Sequence, residues 1–176
     1  MDRPYKNISK YPATLTAGAI IARMIDGLGF RYYWATDGLR KEDLAYRPSK
    51  GSFSTLETID HIFGLSETII NVSTEAINYR PIKQYNFRLT QYRDKTLNNL
   101  KNASAHFVSM NTEQLEHLEI QLEYPTGERK FPIWNLINGQ IADAIYHTGQ
   151  IVSFRRTTGN PIAEGVNVFL GRGPRG

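Results

Sequence analysis

Two residues in the carboxyl-terminal quarter of the chain, Asp143 and His147, have the chemistry and the spacing to bind one metal ion together. They stand four positions apart in a segment with a helical pattern, so their side chains project from one helix face. Gln140 and Gln150 fall near the same face, one turn to either side. A polar stripe among apolar residues is costly unless it faces water, a ligand or a metal. We therefore interpret this stripe as half of a candidate site.

A second histidine, His61, supplies the other half, because it lies two turns into an earlier segment with a helical pattern. Helical proteins build metal sites from side chains on facing helices, so His61, Asp143 and His147 form a candidate set of two histidines and one carboxylate. Three protein ligands leave coordination positions open for water or substrate, as a catalytic metal requires. The same three side chains could instead form a hydrogen-bonded cluster without any ion.

Other residues near this set are candidates for supporting or pocket roles. Gln150 could orient Asp143 or His147, although a hydrogen bond that only packs helices is an equal alternative. Gln140 could line the pocket. Two aromatic neighbours of the motif, Tyr146 and Phe154, could form its wall.

Glu57 and Asp60 lie close to His61 in sequence, and we include both as candidate supporting residues. Ser54 is followed three residues later by Glu57, which is the capping-box arrangement at the start of a helix. Glu57 therefore has a structural interpretation as a cap. Asp60 could contact the site or face solvent.

Four long helices are expected to position these residues, because each has apolar residues at helical spacing. The first expected helix begins at Thr14 or Thr16 and runs to about Trp34, and the other three extend over residues 54–78, 90–110 and 134–158. Between the third and fourth helices, residues 118–133 alternate apolar with polar side chains around a PTGE turn, which predicts a small β-hairpin. The connections are short or moderate, so the predicted fold is all-α, an antiparallel four-helix bundle with this hairpin before the last helix.

Length and composition limit the possible classes of protein. The chain has 176 residues, 40% hydrophobic and 22% charged, which is typical of one globular domain over residues 1–176, with an arm at 1–13 and a tail at 160–176. No apolar run approaches the roughly 20 residues that span a bilayer, and the first residues lack a signal-peptide core, so we expect a cytoplasmic protein without a membrane partner. The formal charge is +4, but the basic residues are scattered, so nucleic acid is not an expected partner.

The chain has no cysteine. This excludes disulfides, thiolate metal ligands and a cysteine nucleophile. Any thiol chemistry would therefore need a thiol from outside the protein.

Two segments carry a family resemblance: GLRKEDLAYRPSKGSFSTLETIDHIFGL at residues 38–65 and ADAIYHTGQIVSFRRTTGNP at residues 142–161. They contain an Arg-Pro pair, a Gly-Ser segment leading into the second helix, a histidine two turns later and a closing His-x-Gly-Gln. In this order and separation the features resemble the DinB-like (YfiT-type) superfamily of four-helix bundles. The resemblance extends from about residue 15 to residue 160.

The resemblance implies a divalent metal, foremost nickel or zinc, held by three histidines. His61 and His147 match two of these positions, whereas position 143 departs from the pattern because it is Asp. A carboxylate makes the bound ion less Lewis acidic and shifts the preference toward harder ions, so iron or manganese are alternatives. Relatives include transferases and isomerases that use a low-molecular-weight thiol, which makes such a thiol a possible cosubstrate.

The leading hypothesis is a metal-dependent enzyme that activates water or an exogenous thiol for hydrolysis or transfer to a small molecule. The competing hypothesis is a non-catalytic helical bundle that binds a ligand or partner, with the histidines and Asp143 in a metal-free cluster. Bundles of this type often pair through helix faces, so we expect a homodimer.

Overall fold

Long helices and a small three-stranded sheet make up the fold, which the computed structural model describes for residues 3–8 and 10–174. The elements are α1 (Ala17–Thr36), α2 (Lys41–Ala45), α3 (Thr55–Ser73), β1 (Asn78–Tyr79), α4 (Leu89–Ser109), α5 (Thr112–His117), β2 (Glu119–Tyr124), β3 (Gly127–Pro132), α6 (Ile133–Asn135), a π-helical turn (Leu136–Ile141) and α7 (Ala142–Thr157). Helix α1 packs against α4 and α7, and α3 packs against the same two helices. No helix in the described ranges is long and apolar enough to cross a membrane.

Helix α1 begins at a threonine cap and buries one face. The Thr16 hydroxyl accepts a hydrogen bond from the Ala19 amide at 3.1 Å, so Thr16 rather than Thr14 is the N-cap. Leu15 precedes the helix and is exposed, so it does not belong to the buried face. That face includes the fully buried side chains of Ile25, Leu28 and Tyr32, and Phe30, on another side of the helix, is fully buried as well.

Helix α3 begins at the predicted capping box and ends earlier than predicted. The Ser54 amide donates to Glu57 Oε2 at 2.7 Å, while the Glu57 amide donates to Ser54 Oγ at 3.2 Å. The prediction that this helix continues to about Asn78 is wrong, because it ends at Ser73. Glu75 adopts a left-handed conformation with a φ of 55°, which an α-helix does not accommodate. Asn78 instead belongs to a strand.

The predicted hairpin is present as β2 and β3, and a third strand extends it. Strands β2 and β3 are antiparallel, whereas β1 pairs in parallel with β2. Ile120 of β2 is buried, so one side of the sheet contributes to the core. Helix α5, which precedes β2, was not predicted, because its six residues are too few to show a helical period.

The last helical segment is interrupted by a π-helical turn, so the prediction of one regular helix from Trp134 to Thr158 is wrong in this detail. Leu136 and Ile141 are both fully buried. In an α-helix, residues five apart are separated by about 1.4 turns and face different sides. The wider π turn lets both side chains reach the core, and it sets the direction in which α7 presents its first residues.

A buried polar cluster joins the carboxyl ends of α1 and α7. The Arg155 guanidinium donates to the backbone oxygens of Trp34 and Asp37, each at 2.9 Å, and so satisfies carbonyls at the end of α1. Asp43, which is also buried, accepts hydrogen bonds from Arg40. These bonds hold the pKa of the Asp43 carboxyl well below its usual range. This cluster anchors the carboxyl end of α7 to the rest of the fold.

The described parts of the amino-terminal arm and the carboxyl-terminal tail meet beside α1. The Ile8 amide donates to the Gly171 carbonyl at 2.8 Å, and the indole nitrogen of Trp34 donates to the Lys6 carbonyl at 3.2 Å. Gly173 is needed at this crossing, because a Cβ there would lie 2.5 Å from the Trp34 ring. Both segments therefore pack on the helices, and residues 1, 2, 9, 175 and 176 of the predicted arm and tail lie outside the described residues.

Candidate metal centre

Helices α3 and α7 bring His61, Asp143 and His147 together. His61 Nε2 lies 3.2 Å from Asp143 Oδ2, and His147 Nε2 lies 3.3 Å from Asp143 Oδ1. The two imidazole rings meet edge to face, with their centroids 4.6 Å apart. One potential ligand atom from each residue lies within 4.8 Å of the others. Within the described ranges, this is the group of His, Asp and Glu side chains whose geometry suits one ion.

The cluster is accessible to solvent. The side chains of His61, Asp143 and His147 are 36%, 41% and 16% exposed, respectively. A fully buried trio would be suited to a purely structural ion, which needs a closed ligand shell. Here a small molecule from solution can approach the same point as the three protein ligands.

A hydrogen bond to Gln150 determines which nitrogen of His147 is available. His147 Nδ1 lies 2.8 Å from Gln150 Oε1, which can only accept, so Nδ1 carries the hydrogen in this orientation of the amide. The Nε2 atom of the neutral ring then has a free lone pair, and it faces the Asp143 carboxylate. Two acceptors at this distance repel unless a cation or a proton lies between them. The arrangement of these side chains therefore favours a positive charge between them.

The distances also fit a metal ion. Two ligands about 2.1 Å from a zinc ion, at a tetrahedral angle, are about 3.4 Å apart. The two histidine-to-carboxylate distances, 3.2 and 3.3 Å, are close to this value although they end on different oxygens of Asp143, and one ligand atom from each of the three residues lies within 4.8 Å of the others. Two imidazole nitrogens and a carboxylate are ligands that zinc, nickel, iron and manganese accept. The residues present therefore fit a divalent ion with at least one open position.

The supporting residues proposed from α7 and the π turn differ in their placement. Gln150 contacts His147, as described above. Gln140 lies in the π turn, and its Oε1 is buried without a hydrogen-bond partner among the described residues. Tyr146 is 65% exposed, and its ring centroid is 5.4 Å from that of His147, at the rim of the site.

Phe154, which we expected as a pocket wall, packs elsewhere. Its ring contacts Tyr46 with centroids 5.5 Å apart. Phe154 follows His147 by two helical turns, about 10 Å along the axis, which is too far for contact with the ion. Phe154 helps to hold the segment before α3 against α7, and its place in a pocket wall stays a prediction.

The two carboxylates close to His61 in sequence have other partners. Asp60 accepts a hydrogen bond from the Tyr92 hydroxyl at 2.7 Å, which links α3 to α4. Burial and the nearby Asp60 raise the pKa of Tyr92 to about 12. Asp60 also lines a cavity of about 90 Å³ beside His61. It therefore contributes to the surroundings of the site but is not part of the ligand cluster.

Glu57 is a capping residue that also forms an ion pair. Its Oε2 lies 2.6 Å from Arg47 Nη1, so it ties the loop before α3 to the first turn of that helix. Arg47 and the Ser54 cap lower the pKa of Glu57 to about 2. These bonds occupy the carboxylate, so the structural interpretation of Glu57 accounts for its position better than a role at the metal centre.

An aromatic residue beside the site was missed in the sequence. The Phe53 ring lies 6.2 Å from that of His61 and is 55% exposed. Phe53 directly precedes the N-cap Ser54, where an apolar side chain folds back over the first turns of the helix. Its position directly before a predicted N-cap could therefore have identified Phe53 from the sequence. Phe53 thus lies beside His61, and Tyr146 lies beside His147.

Comparisons with known proteins agree with this fold. The chain is similar to a DinB-like protein from Bacillus subtilis of known crystal structure, with 19% sequence identity and a TM-score of 0.59 over 80% of this chain and 92% of that chain. At this identity the likeness concerns the fold alone. No curated protein shows significant sequence similarity to the chain. The sequence model of the DinB family matches residues 32–164, which include His61, Asp143 and His147, and the chain therefore belongs to the DinB family.

Proposed function

We propose that this protein is a metal-dependent enzyme that acts on a small molecule, with His61, Asp143 and His147 as the ligands of one divalent ion. The observation that carries the proposal is the convergence of three ligand atoms within 4.8 Å from two different helices. Nickel and zinc are the first candidates, and iron and manganese are alternatives because the set contains a carboxylate.

The residues at this site have different proposed roles. His61 and His147 offer neutral nitrogen donors, and Gln150 keeps His147 in the tautomer that leaves Nε2 free. Asp143 brings the negative charge that offsets part of the charge of the ion. A divalent ion held there supplies activation of a water or thiol as a nucleophile near neutral pH, for hydrolysis or transfer. A thiol would come from a low-molecular-weight cosubstrate, because the chain has no cysteine.

The helix contacts support an antiparallel four-helix bundle as the frame of this site. Helices α1 and α3 each pack against both α4 and α7, as neighbours do around one core. In such a bundle the candidate ligands come from facing helices, α3 and α7. We further propose a homodimer and a cytoplasmic location, which light scattering and fractionation would test.

Elemental analysis tests the metal proposal. Protein purified without an affinity tag, and reconstituted in turn with nickel, zinc, iron and manganese, is expected to hold about one equivalent of one of these metals per chain. The His61→Ala and Asp143→Ala variants are expected to lose most of it. Less than about a tenth of an equivalent after reconstitution would refute the proposal.

A second candidate function is a non-catalytic protein that binds a ligand or partner. The observation that favours it is the pair of distances from Asp143 to the histidines, 3.2 and 3.3 Å, since hydrogen bonds through a shared proton have similar lengths. Under this alternative the Asp143→Asn variant would lose stability, and added metal would change the melting temperature of neither protein. Under the metal proposal, added metal would stabilise the wild type alone.

A further inference from the structure

A groove runs along α3 away from the candidate metal centre. The cavity of about 90 Å³ beside His61 adjoins a second cavity of about 330 Å³. Both are lined by residues of α3 and of the segment that connects β1 to α4, and those they share are Gly64, Glu67, Ile82, Lys83 and Tyr85. Together the cavities are large enough for a small metabolite, since ligand sites commonly measure about 300–1,000 Å³.

The middle of this groove has no side chain on its α3 side. Gly64 is buried there, one turn after His61 and one turn before Glu67. A Cβ at Gly64 would come within 3.7 Å of Ile82 Cδ1, so a larger side chain would narrow the passage. Gly64 and Ile82 line both cavities, so the two cavities meet where Ile82 approaches Gly64.

Glu67 is a partly buried carboxylate in the groove, and Lys95 and Lys83 act on it electrostatically from beyond 4.0 Å. Its one hydrogen bond comes from the Tyr85 hydroxyl and is long, at 3.3 Å. No Lys, Arg or His nitrogen of the described chain lies within 4.0 Å of Glu67. Burial raises the pKa of this carboxyl. The carboxylate therefore has unused capacity to accept hydrogen bonds.

The cations that line the groove are already engaged. Lys83 Nζ lies 5.5 Å from the centroid of the Tyr85 ring, in a cation–π contact. Arg80 donates through Nη2 to the Thr68 hydroxyl at 3.4 Å and through Nη1 to a backbone oxygen at 3.0 Å. A ligand with a positive nitrogen would approach Glu67 more closely than Lys83 and Lys95 do, whereas an anion would have to compete for cations that have partners.

We propose that this groove binds a small molecule with a primary ammonium group, which pairs with Glu67 while the rest of the molecule extends along α3 toward His61. Six residues separate Glu67 from His61, a rise of about 9 Å along the helix. A chain of about this length would place its far end beside His61. That the far end is the reacting end rests on the function proposed above. The pairing with Glu67 does not depend on it.

Binding of 1-hexylamine to the metal-free protein, measured by ligand-observed NMR, tests the pairing. Hexylamine is expected to bind more tightly than 1-hexanol or hexanoate, which have similar length and no ammonium group. Glu67→Gln is expected to weaken hexylamine binding by about tenfold or more, because it removes a charge-assisted hydrogen bond. Glu116→Gln, which removes one charge from the exposed side of α5, is the matched control and is expected to change nothing.

Equal binding of hexylamine to wild type and Glu67→Gln would overturn the proposal, as would a preference for hexanoate. Gly64→Leu, which fills the groove and keeps every charge, is expected to weaken hexylamine and hexanol alike. Unchanged hexylamine binding to a folded Gly64→Leu protein would place the ligand elsewhere and also overturn the proposal.

A second measurement separates this inference from the proposed function. With Co²⁺ bound, the methyl protons of hexylamine are expected to relax faster than those beside the nitrogen, because the methyl end lies nearer to His61. The opposite order would overturn the orientation along α3. A protein that binds no Co²⁺ or other divalent ion would count against the metal-dependent function, while the Glu67 comparison would still decide the groove.

Discussion

Gln150→Leu removes the one described contact that determines the tautomer of His147. Leucine is close to glutamine in size but accepts no hydrogen bond, so Nδ1 of His147 loses its partner at 2.8 Å. The ring is then free to place its hydrogen on Nε2, the nitrogen that faces Asp143. We expect weaker metal binding with little change in the fold, because the bond lies within a single helix.

The magnitude follows from the environment of this bond. A hydrogen bond between neutral groups contributes about 0.5–1.5 kcal/mol. His147 is only 16% exposed, which places its bond near the upper end of that range. Loss of a residue that orients a metal ligand typically costs about 10–100-fold in metal affinity. The two ranges meet at about tenfold, or about 1.4 kcal/mol.

Competition between the protein and a chelating indicator for Zn²⁺ or Ni²⁺ would measure the affinity. Gln150→Glu is the matched control, because it keeps an acceptor at the same position and should retain the wild-type affinity or exceed it. A Gln150→Leu affinity within about twofold of wild type, with His61→Ala abolishing binding, would refute the proposed role of Gln150. Thermal unfolding of both variants would verify that the fold is intact.

Three further predictions concern the frame of the site. Arg155→Met leaves buried carbonyls at the end of α1 without donors, and urea unfolding should show a loss of about 3–5 kcal/mol; a loss below about 1 kcal/mol would contradict this role. Arg47 lowers the pKa of Glu57 to about 2, so ionised Glu57 stabilises the fold above its ordinary pKa near 4.5, and this contribution is lost as the pH falls toward 2. The free energies of unfolding of wild type and Glu57→Gln should therefore differ at pH 6 and converge near pH 2. A constant difference between the two proteins over this pH range would contradict the role of Glu57. Tyr92→Phe removes the donor to Asp60 and should lower the free energy of unfolding by about 1–2 kcal/mol at pH 7. Because the pKa of Tyr92 is raised to about 12, the stability of the wild type should fall as the pH rises through 10 toward 12. An equal fall in the variant would count against the hydrogen bond from Tyr92 to Asp60 as its cause.

Features that depend on neighbours in sequence could be predicted from the chain alone. The capping box at Ser54 is a contact over three residues, and the structure contains it as expected. Asp143 and His147 share a helix face because they are four apart, and that relation does not depend on the rest of the fold. The hairpin was visible because alternation and a turn sequence are also local signals.

The partnership of His61 with α7 was proposed because helical proteins build metal sites from facing helices, and the family resemblance supported it; spacing in the sequence did not show it. A single histidine on a helix gives no direction to its partner, because the packing of two helices is decided by many side chains at once. The structure brings the histidine to within 3.2 Å of Asp143, across 82 positions of sequence.

What the sequence by itself determined is therefore the local set: helix caps, the hairpin and the shared face of Asp143 and His147. The tertiary structure alone decided that β1 joins β2, that a π turn precedes α7 and that Arg155 closes the end of α1. It also decided that Glu67 and His61 line the same cavity. The physical reason is that each of these depends on burial and on contacts between distant segments, whose free energies become defined only when the helices pack.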